Sequence, residues 1–274
     1  MSMSSLQITD THAHLDMAPF DADRDEVLKR AFDSGVALIV NPATGLKSGE
    51  KIIELSEKEP RLFAAVGFHP HDVSPDGIGV TREDVDKLAK LTTHKRVVAI
   101  GETGLDFYRN RSPREIQLQV FGWELELSRD LKLPIIVHSR EAEKETLTLL
   151  HKFVPADSRA PGVIHCFSGD SQILKEYTSM GFYVSVGGYI TFPTSVRLFD
   201  VLKEIPEDRL LFETDSPYLA PQSHRGERNE PAYLVSAVEL LARIRSITPD
   251  ALARETTENA CRLFKLPLPE TIAV

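Results

Sequence analysis

The chain has 274 residues, 42% hydrophobic and 27% charged, with a formal net charge of −9. That length suits one α/β barrel better than one sandwich or bundle, and the composition is that of a folded globular protein. The acidic balance excludes a broad sliding surface for nucleic acid, which needs a basic face, although bound divalent cations can reverse the sign locally. No uninterrupted apolar segment can span a bilayer, so no membrane partner is expected. The pentapeptide Met1-Ser2-Met3-Ser4-Ser5 lacks the basic and apolar regions of a secretory signal, and a cytoplasmic location is expected. Cys166 and Cys261 form no Cys-x-x-Cys pair and read as buried thiols.

Apolar, β-branched runs alternate with amphipathic stretches. Strands are predicted at residues 6–10, 36–41, 62–68, 97–102, 135–138, 162–165, 182–186 and 210–215. Helices are predicted at 23–34, 50–59, 82–92, 112–131, 141–153, 171–180, 195–204, 231–247 and 249–264. Thr81 precedes acidic Glu83 and Asp84 as a helix start, and Ser112 reads as an N-cap before an N1 proline, Pro113. Gly35 and Gly181 stand where a glycine ends a helix. Eight strands alternating with helices, without repeat or linker, predict one α/β domain over residues 1–274, a parallel (β/α)8 TIM barrel. An open doubly wound sheet is the alternative, but the dinucleotide fingerprint is absent.

The polar residues fall at particular places on that map. In Asp10-Thr11-His12-Ala13-His14 the alternation of an extended chain puts Asp10, His12 and His14 on one face, the imidazoles about 7 Å apart. His69 and His71 follow strand three, Glu102 ends strand four, His138 ends strand five, His165 ends strand six and Asp215 ends strand eight. In a barrel these ends share one mouth, where active sites are built. His94 and His151 fall on helix-end or loop segments, and His224 in the loop after strand eight. His12, His14, Glu102, His138, His165 and Asp215 suffice for two divalent ions, Mg, Mn or Zn, with Glu102 expected as the bridge. Any one of them alone reads equally as a hydrogen-bonded core group.

The motifs Asp10-Thr-His-Ala-His14, Gly67-Phe-His-Pro-His71, Gly101-Glu-Thr-Gly-Leu-Asp106, His165-Cys-Phe-Ser-Gly169 and Glu213-Thr-Asp-Ser-Pro-Tyr-Leu-Ala-Pro221 resemble those of the TatD family of metal-dependent deoxyribonucleases, from Ile8 to about Asn259. Arg225-Gly-Glu-Arg-Asn-Glu-Pro231 is similar to that family's following loop. The resemblance implies that His12, His14, Glu102 and Asp215 hold one ion and Glu102, His138 and His165 the other. It also implies that Asp215 orients or deprotonates the attacking water. Many related barrels bridge their metals with a carboxylated lysine; strand four has none, so Glu102 takes that role.

Arg109, Arg111, Arg140, Arg225 and Arg228 are candidates for phosphate contacts, or equally for surface ion pairs. Tyr108, Tyr189, Phe192 and Tyr218 are candidates for base stacking, or for lining a wall. The substrate is expected at His69, His71, Tyr218, Arg225 and Asn229. The expected activity is phosphodiester hydrolysis in DNA by a metal-activated water, as an exonuclease on single strands or frayed ends. The rival reading is a deacylase acting on aminoacyl-tRNA or a small ester or amide, and a third is a nucleic-acid-binding module without turnover.

Overall fold

A computed structural model describes residues 6–74, 77–155, 158 and 161–269. The N-terminal pentapeptide lies outside them. The strands are β1 Ile8–Asp10, β2 Val36–Pro42, β3 Leu62–Val66, β4 Val97–Asp106, β5 Ile135–Arg140, β6 Gly162–Ile164, β7 Tyr183–Val186 and β8 Leu210–Phe212. The helices are α1 Arg24–Asp33, α2 Leu46–Lys58, α3 Arg82–Leu91, α4 Arg114–Leu131, α5 Glu143–Phe153, α6 Ser171–Ser179, α7 Phe199–Glu204, α8 Leu234–Arg245 and α9 Pro249–Phe264. The strands follow sequence order in one sheet and each is followed by a helix. This is the (β/α)8 arrangement, not the doubly wound alternative, whose strand order reverses at a switch point. No helix among the described residues is long and apolar enough to cross a membrane.

The described residues cluster in two compact units. One takes the chain up to Asn41, Cys166–Lys175 and everything from Val184 onward. In it β1 pairs in parallel with β2, and β7 with β8. The Thr11 N–H donates to Phe212 O at 2.9 Å and Ala13 bridges to Ser216, so the chain leaving β1 runs beside the chain leaving β8. Arg30 and Arg228 tie the loop after β8 to α1. Arg30 grips the Glu230 carboxylate at 2.7 and 2.8 Å, and Arg228 grips Asp23 at 2.7 and 2.8 Å. The ion pairs hold the Asp23 carboxyl down at about 2, through the Arg228 hydrogen bonds above all.

The other unit holds Pro42–His165 and Glu176–Tyr183. Here β3 pairs with β4, β4 with β5, and β5 with β6, all in parallel. Every residue of β3 and β6 is buried, and both strands are apolar, the pattern of a strand covered on both faces. Thr81 opens α3 with a complete capping box to Asp84, as its sequence predicts.

Several expectations need correction. Ser112 is not the cap of α4. Pro113 holds that position, and the Ser112 hydroxyl donates to His71 O at 3.0 Å instead. Strand four does not stop at Glu102 but continues to Asp106. Strand one ends at Asp10, before both histidines, so simple alternation does not carry their geometry. Cys261 is buried, whereas Cys166 is only half-buried.

Candidate functional site

In the first unit three donors converge. Nε2 of His12 lies 3.1 Å from Nε2 of His14, and Oδ1 of Asp215 lies 3.9 and 3.6 Å from those nitrogens. Donors about 2.1 Å from a tetrahedral ion stand about 3.4 Å from one another, so this spacing fits a cation among them. The local cause is the pairing of the two loops. The Asp215 N–H donates to His12 O at 2.8 Å, and His14 N–H to Ser216 O at 2.8 Å. Asp215 itself sits at φ 56°, a left-handed conformation that Asp tolerates better than most residues.

Asp10 does not join that face. Its buried carboxylate turns back on the chain and accepts from His12 N–H, Thr214 N–H and the Thr214 hydroxyl at 3.1, 3.0 and 2.6 Å. Burial pushes its carboxyl up to about 7, against the pull of those bonds. Its part is to fix the backbone that carries His12. Glu213 acts similarly after β6: it accepts from Cys166 N–H at 2.6 Å and from the Ser185 hydroxyl at 2.5 Å.

In the second unit Glu102, His138 and His165 form a tighter group. Oε1 of Glu102 lies 2.8 Å from Nδ1 of His138 and 3.1 Å from Nε2 of His165, and the two nitrogens are 3.1 Å apart. Nε2 of His69 approaches the same Oε1 at 3.3 Å, and His69, Glu102 and His138 form a group able to hold a metal ion. The backbone explains how Glu102 reaches this position. The register of β4 against β5 slips between Ile100 and Thr103, a bulge that re-aims one side chain. Gly101 and Gly104 flank it at φ 139° and 135°, where a Cβ would lie 2.8 Å from Ile136 and 2.0 Å from His138 O.

Two carboxylates support this group. Asp106 meets Nε2 of His138 at 3.2 Å and Nε2 of His71 at 2.7 Å. Burial alone would raise its carboxyl. The bonds to His138, to His71 and from Arg109 N–H outweigh burial and hold it well below the ordinary carboxylate range. Glu124, buried in α4, accepts from Phe68 N–H at 2.8 Å and from the Thr103 hydroxyl at 2.5 Å. Burial pushes it up to about 8. It thereby anchors the residues next to His69 and next to Glu102. Sequence reading assigned roles to neither. Asp106 was visible inside the Gly101–Asp106 motif, but Glu124 gave no signal in a helix rich in acidic residues.

The residues expected at the substrate divide. His69 lies against Glu102, within ligand distance. His71 has its Nε2 on Asp106. Tyr218 is 52% exposed, and its ring stands edge-on to His14 at 6.4 Å. Arg225 is exposed, with its guanidinium 4.3 Å over the Phe192 ring. Asn229 does not face solvent. It is fully buried and its amide donates to Thr214 O at 2.9 Å and Tyr218 O at 2.6 Å, so it shapes the loop that carries Asp215. Tyr189 is buried with its hydroxyl donating to Phe167 O, and so is no stacking platform. Arg228 is occupied by Asp23, the ion-pair alternative to a phosphate contact.

Residues 9–265 match the family model described as TatD related DNase. An uncharacterized metal-dependent hydrolase of Bacillus subtilis, YabD, is 40% identical over 257 residues, 94% of this chain and 98% of the relative. A protein of Erwinia billingiae named 3'-5' ssDNA/RNA exonuclease TatD is 36% identical, over 94% of this chain and 99% of its own. Among solved structures, the Escherichia coli TatD homologue YjjV superposes with a TM-score of 0.88 at 30% identity, covering 96% of this chain and 99% of that one.

Proposed function

This chain belongs to the TatD family of metal-dependent hydrolases, and from that premise we propose that it hydrolyses phosphodiester bonds in single-stranded nucleic acid, DNA foremost, from a chain end. The observation that carries the reading is the Glu102–His138–His165 group, three metal-type donors within 3.1 Å of one another. The name of the Erwinia relative supports the choice of substrate. The proposed ligands are His12, His14 and Asp215 for one divalent ion and His138 and His165 for a second, with Glu102 assigned to both as the family resemblance implies. Imidazole-rich donors favour Zn over Mg or Mn. The proposed setting is the cytoplasm.

When bound, such a pair of ions supplies positive charge for the attacking and leaving oxygens of a displacement. Asp215 takes the proton of the attacking water, as a carboxylate near the reacting oxygen can. Water adds to phosphorus while the bond to the leaving sugar oxygen breaks, and that oxygen takes a proton from solvent, the water's own proton having passed to Asp215. Tyr218 offers an aromatic face to the terminal base, and Arg225 a guanidinium to a phosphate.

The deciding experiment strips the protein of metal and restores Mg, Mn or Zn before offering single- and double-stranded DNA, RNA, aminoacyl-tRNA and small esters. Single-stranded DNA should be shortened from one end, only after metal is restored. Elemental analysis should count two ions per chain, and Glu102→Ala should lose at least one. Release of amino acid from aminoacyl-tRNA with DNA left intact would make the protein a deacylase. A stable complex without turnover would make it a binding module.

A further inference from the structure

Two stretches of the second unit carry an aromatic and basic patch that the metal chemistry does not use. The chain leaving β4 reads Phe107-Tyr108-Arg109-Asn110-Arg111, and β5 ends at Ser139-Arg140. Asp106 and Arg140 are register partners, and Phe107 N–H donates to Arg140 O at 2.9 Å, so the two stretches run side by side. Tyr108 is 56% exposed, and the Arg140 guanidinium lies 4.1 Å over its ring. Arg109, Arg111 and Arg114 are exposed around it, with Arg114 itself 4.3 Å over Phe107. Among the described residues none of these four guanidinium groups is ion-paired to a carboxylate. From 107 to 115 and 139 to 141 there are four arginines against two carboxylates, Glu115 and Glu141, in a chain of net charge −9.

We propose that the Tyr108–Arg140 pair is a stacking platform for one base of a single-stranded nucleic acid, with Arg109 and Arg111 on the flanking phosphates. The proposal rests on the nuclease reading and extends it. An aromatic ring with a guanidinium beside it is the combination that holds single strands irrespective of sequence. A local excess of arginine is what an acidic protein needs to accept a polyanion at one place and repel it elsewhere. The position fits. Arg140 is two residues past His138 on the same strand, about 7 Å of extended chain, and Arg109 N–H bonds the Asp106 carboxylate at 2.7 Å. A strand held here runs past the residues that orient His138.

The test measures binding of a labelled single-stranded oligodeoxynucleotide to the metal-loaded protein in an Asp215→Asn background, with KM for cleavage measured in the wild-type background. Tyr108→Ala should weaken binding and raise KM about tenfold, and Tyr108→Phe should keep both near wild type. A set of oligonucleotides with one abasic position each adds a second readout. One position should reproduce the Tyr108→Ala loss, and combining the two should cost no more than either alone, because both remove the same contact. Melting temperatures of the exposed-site variants control for folding. Unchanged binding in Tyr108→Ala, or fully additive losses at every abasic position, overturns the platform while leaving the nuclease reading standing. If the wild-type protein neither binds nor cuts any single strand, the nuclease reading falls and the platform with it.

Discussion

The carboxylate of Asp106 meets Nε2 of His138 at 3.2 Å, while Nδ1 of the same ring points to Glu102 at 2.8 Å. An imidazole has only two nitrogens, and fixing one fixes the role of the other. With Nε2 carrying the proton toward Asp106, Nδ1 presents a lone pair, the form a metal requires. Asp106→Asn should therefore lower metal affinity by about 10- to 100-fold while leaving the fold in place. Competition against a chelator of known strength, followed by thermal unfolding of the metal-free protein, separates the two effects.

Glu124 gives a dependence on pH with a definite sign. Burial raises its carboxyl from 4.5 to about 8, against bonds from the Thr103 hydroxyl and Phe68 N–H. In the unfolded chain the group loses its proton near 4.5, whereas the folded protein keeps it until about 8. The stabilising contribution is thus whole below the unfolded value and is lost as pH rises through that window. Glu124→Gln imitates the protonated form, since its oxygen can accept from Phe68 N–H and its amide can face the Thr103 hydroxyl. The variant should match wild type near pH 5 and exceed it near pH 9 by on the order of 5 kcal/mol, the whole of that window. Urea titrations at both pH values measure this directly.

The strand plan was legible because parallel strands are covered on both faces and read as unbroken apolar runs, as Leu62–Val66 does. The metal-type donors were legible because they follow such runs. Their precise supports were not. Phe68 and Glu124 are 56 residues apart and Asp10 and Thr214 are 204 apart, so their hydrogen bonds exist only once the chain is folded. The extension of β4 through Thr103-Gly-Leu-Asp106 was hidden by its glycines, which normally mark a turn and here permit a bulge. Asn229 read as a polar loop residue, but its amide is spent on backbone carbonyls of that same loop.

Asp215 combines a donor position 3.6 Å from His14 Nε2 with partial exposure, 16% of its side chain. Asp215→Asn keeps the size but removes the charge and the proton acceptor. Its effect should fall on turnover, by at least about a hundredfold if it is the general base, with little change in oligonucleotide binding. Single-turnover kinetics beside a binding isotherm on one preparation resolves this. Turnover within a few-fold of wild type would remove Asp215 from proton transfer.

Arg225 separates phosphate recognition from metal chemistry. Its guanidinium lies over Phe192 at 4.3 Å on the exposed side of the loop after β8, unlike Arg228, whose fork is filled by Asp23. The ring contact restrains the head of a long, exposed side chain, and a guanidinium offers planar N–H donors suited to phosphate oxygens. Losing one charge-assisted contact should cost about tenfold in catalytic efficiency toward an oligonucleotide. Arg225→Ala should show that loss, Arg225→Lys should recover part of it because the charge returns without the planar fork, and Phe192→Leu should give an intermediate loss because the support is gone. The loss in Arg225→Ala should also shrink as salt is raised, since a phosphate contact is screened and a packing contact is not. Kinetics of the three variants at two salt concentrations, with metal content measured on each, decides the matter: equal losses at both salts would assign Arg225 to holding the loop rather than the phosphate.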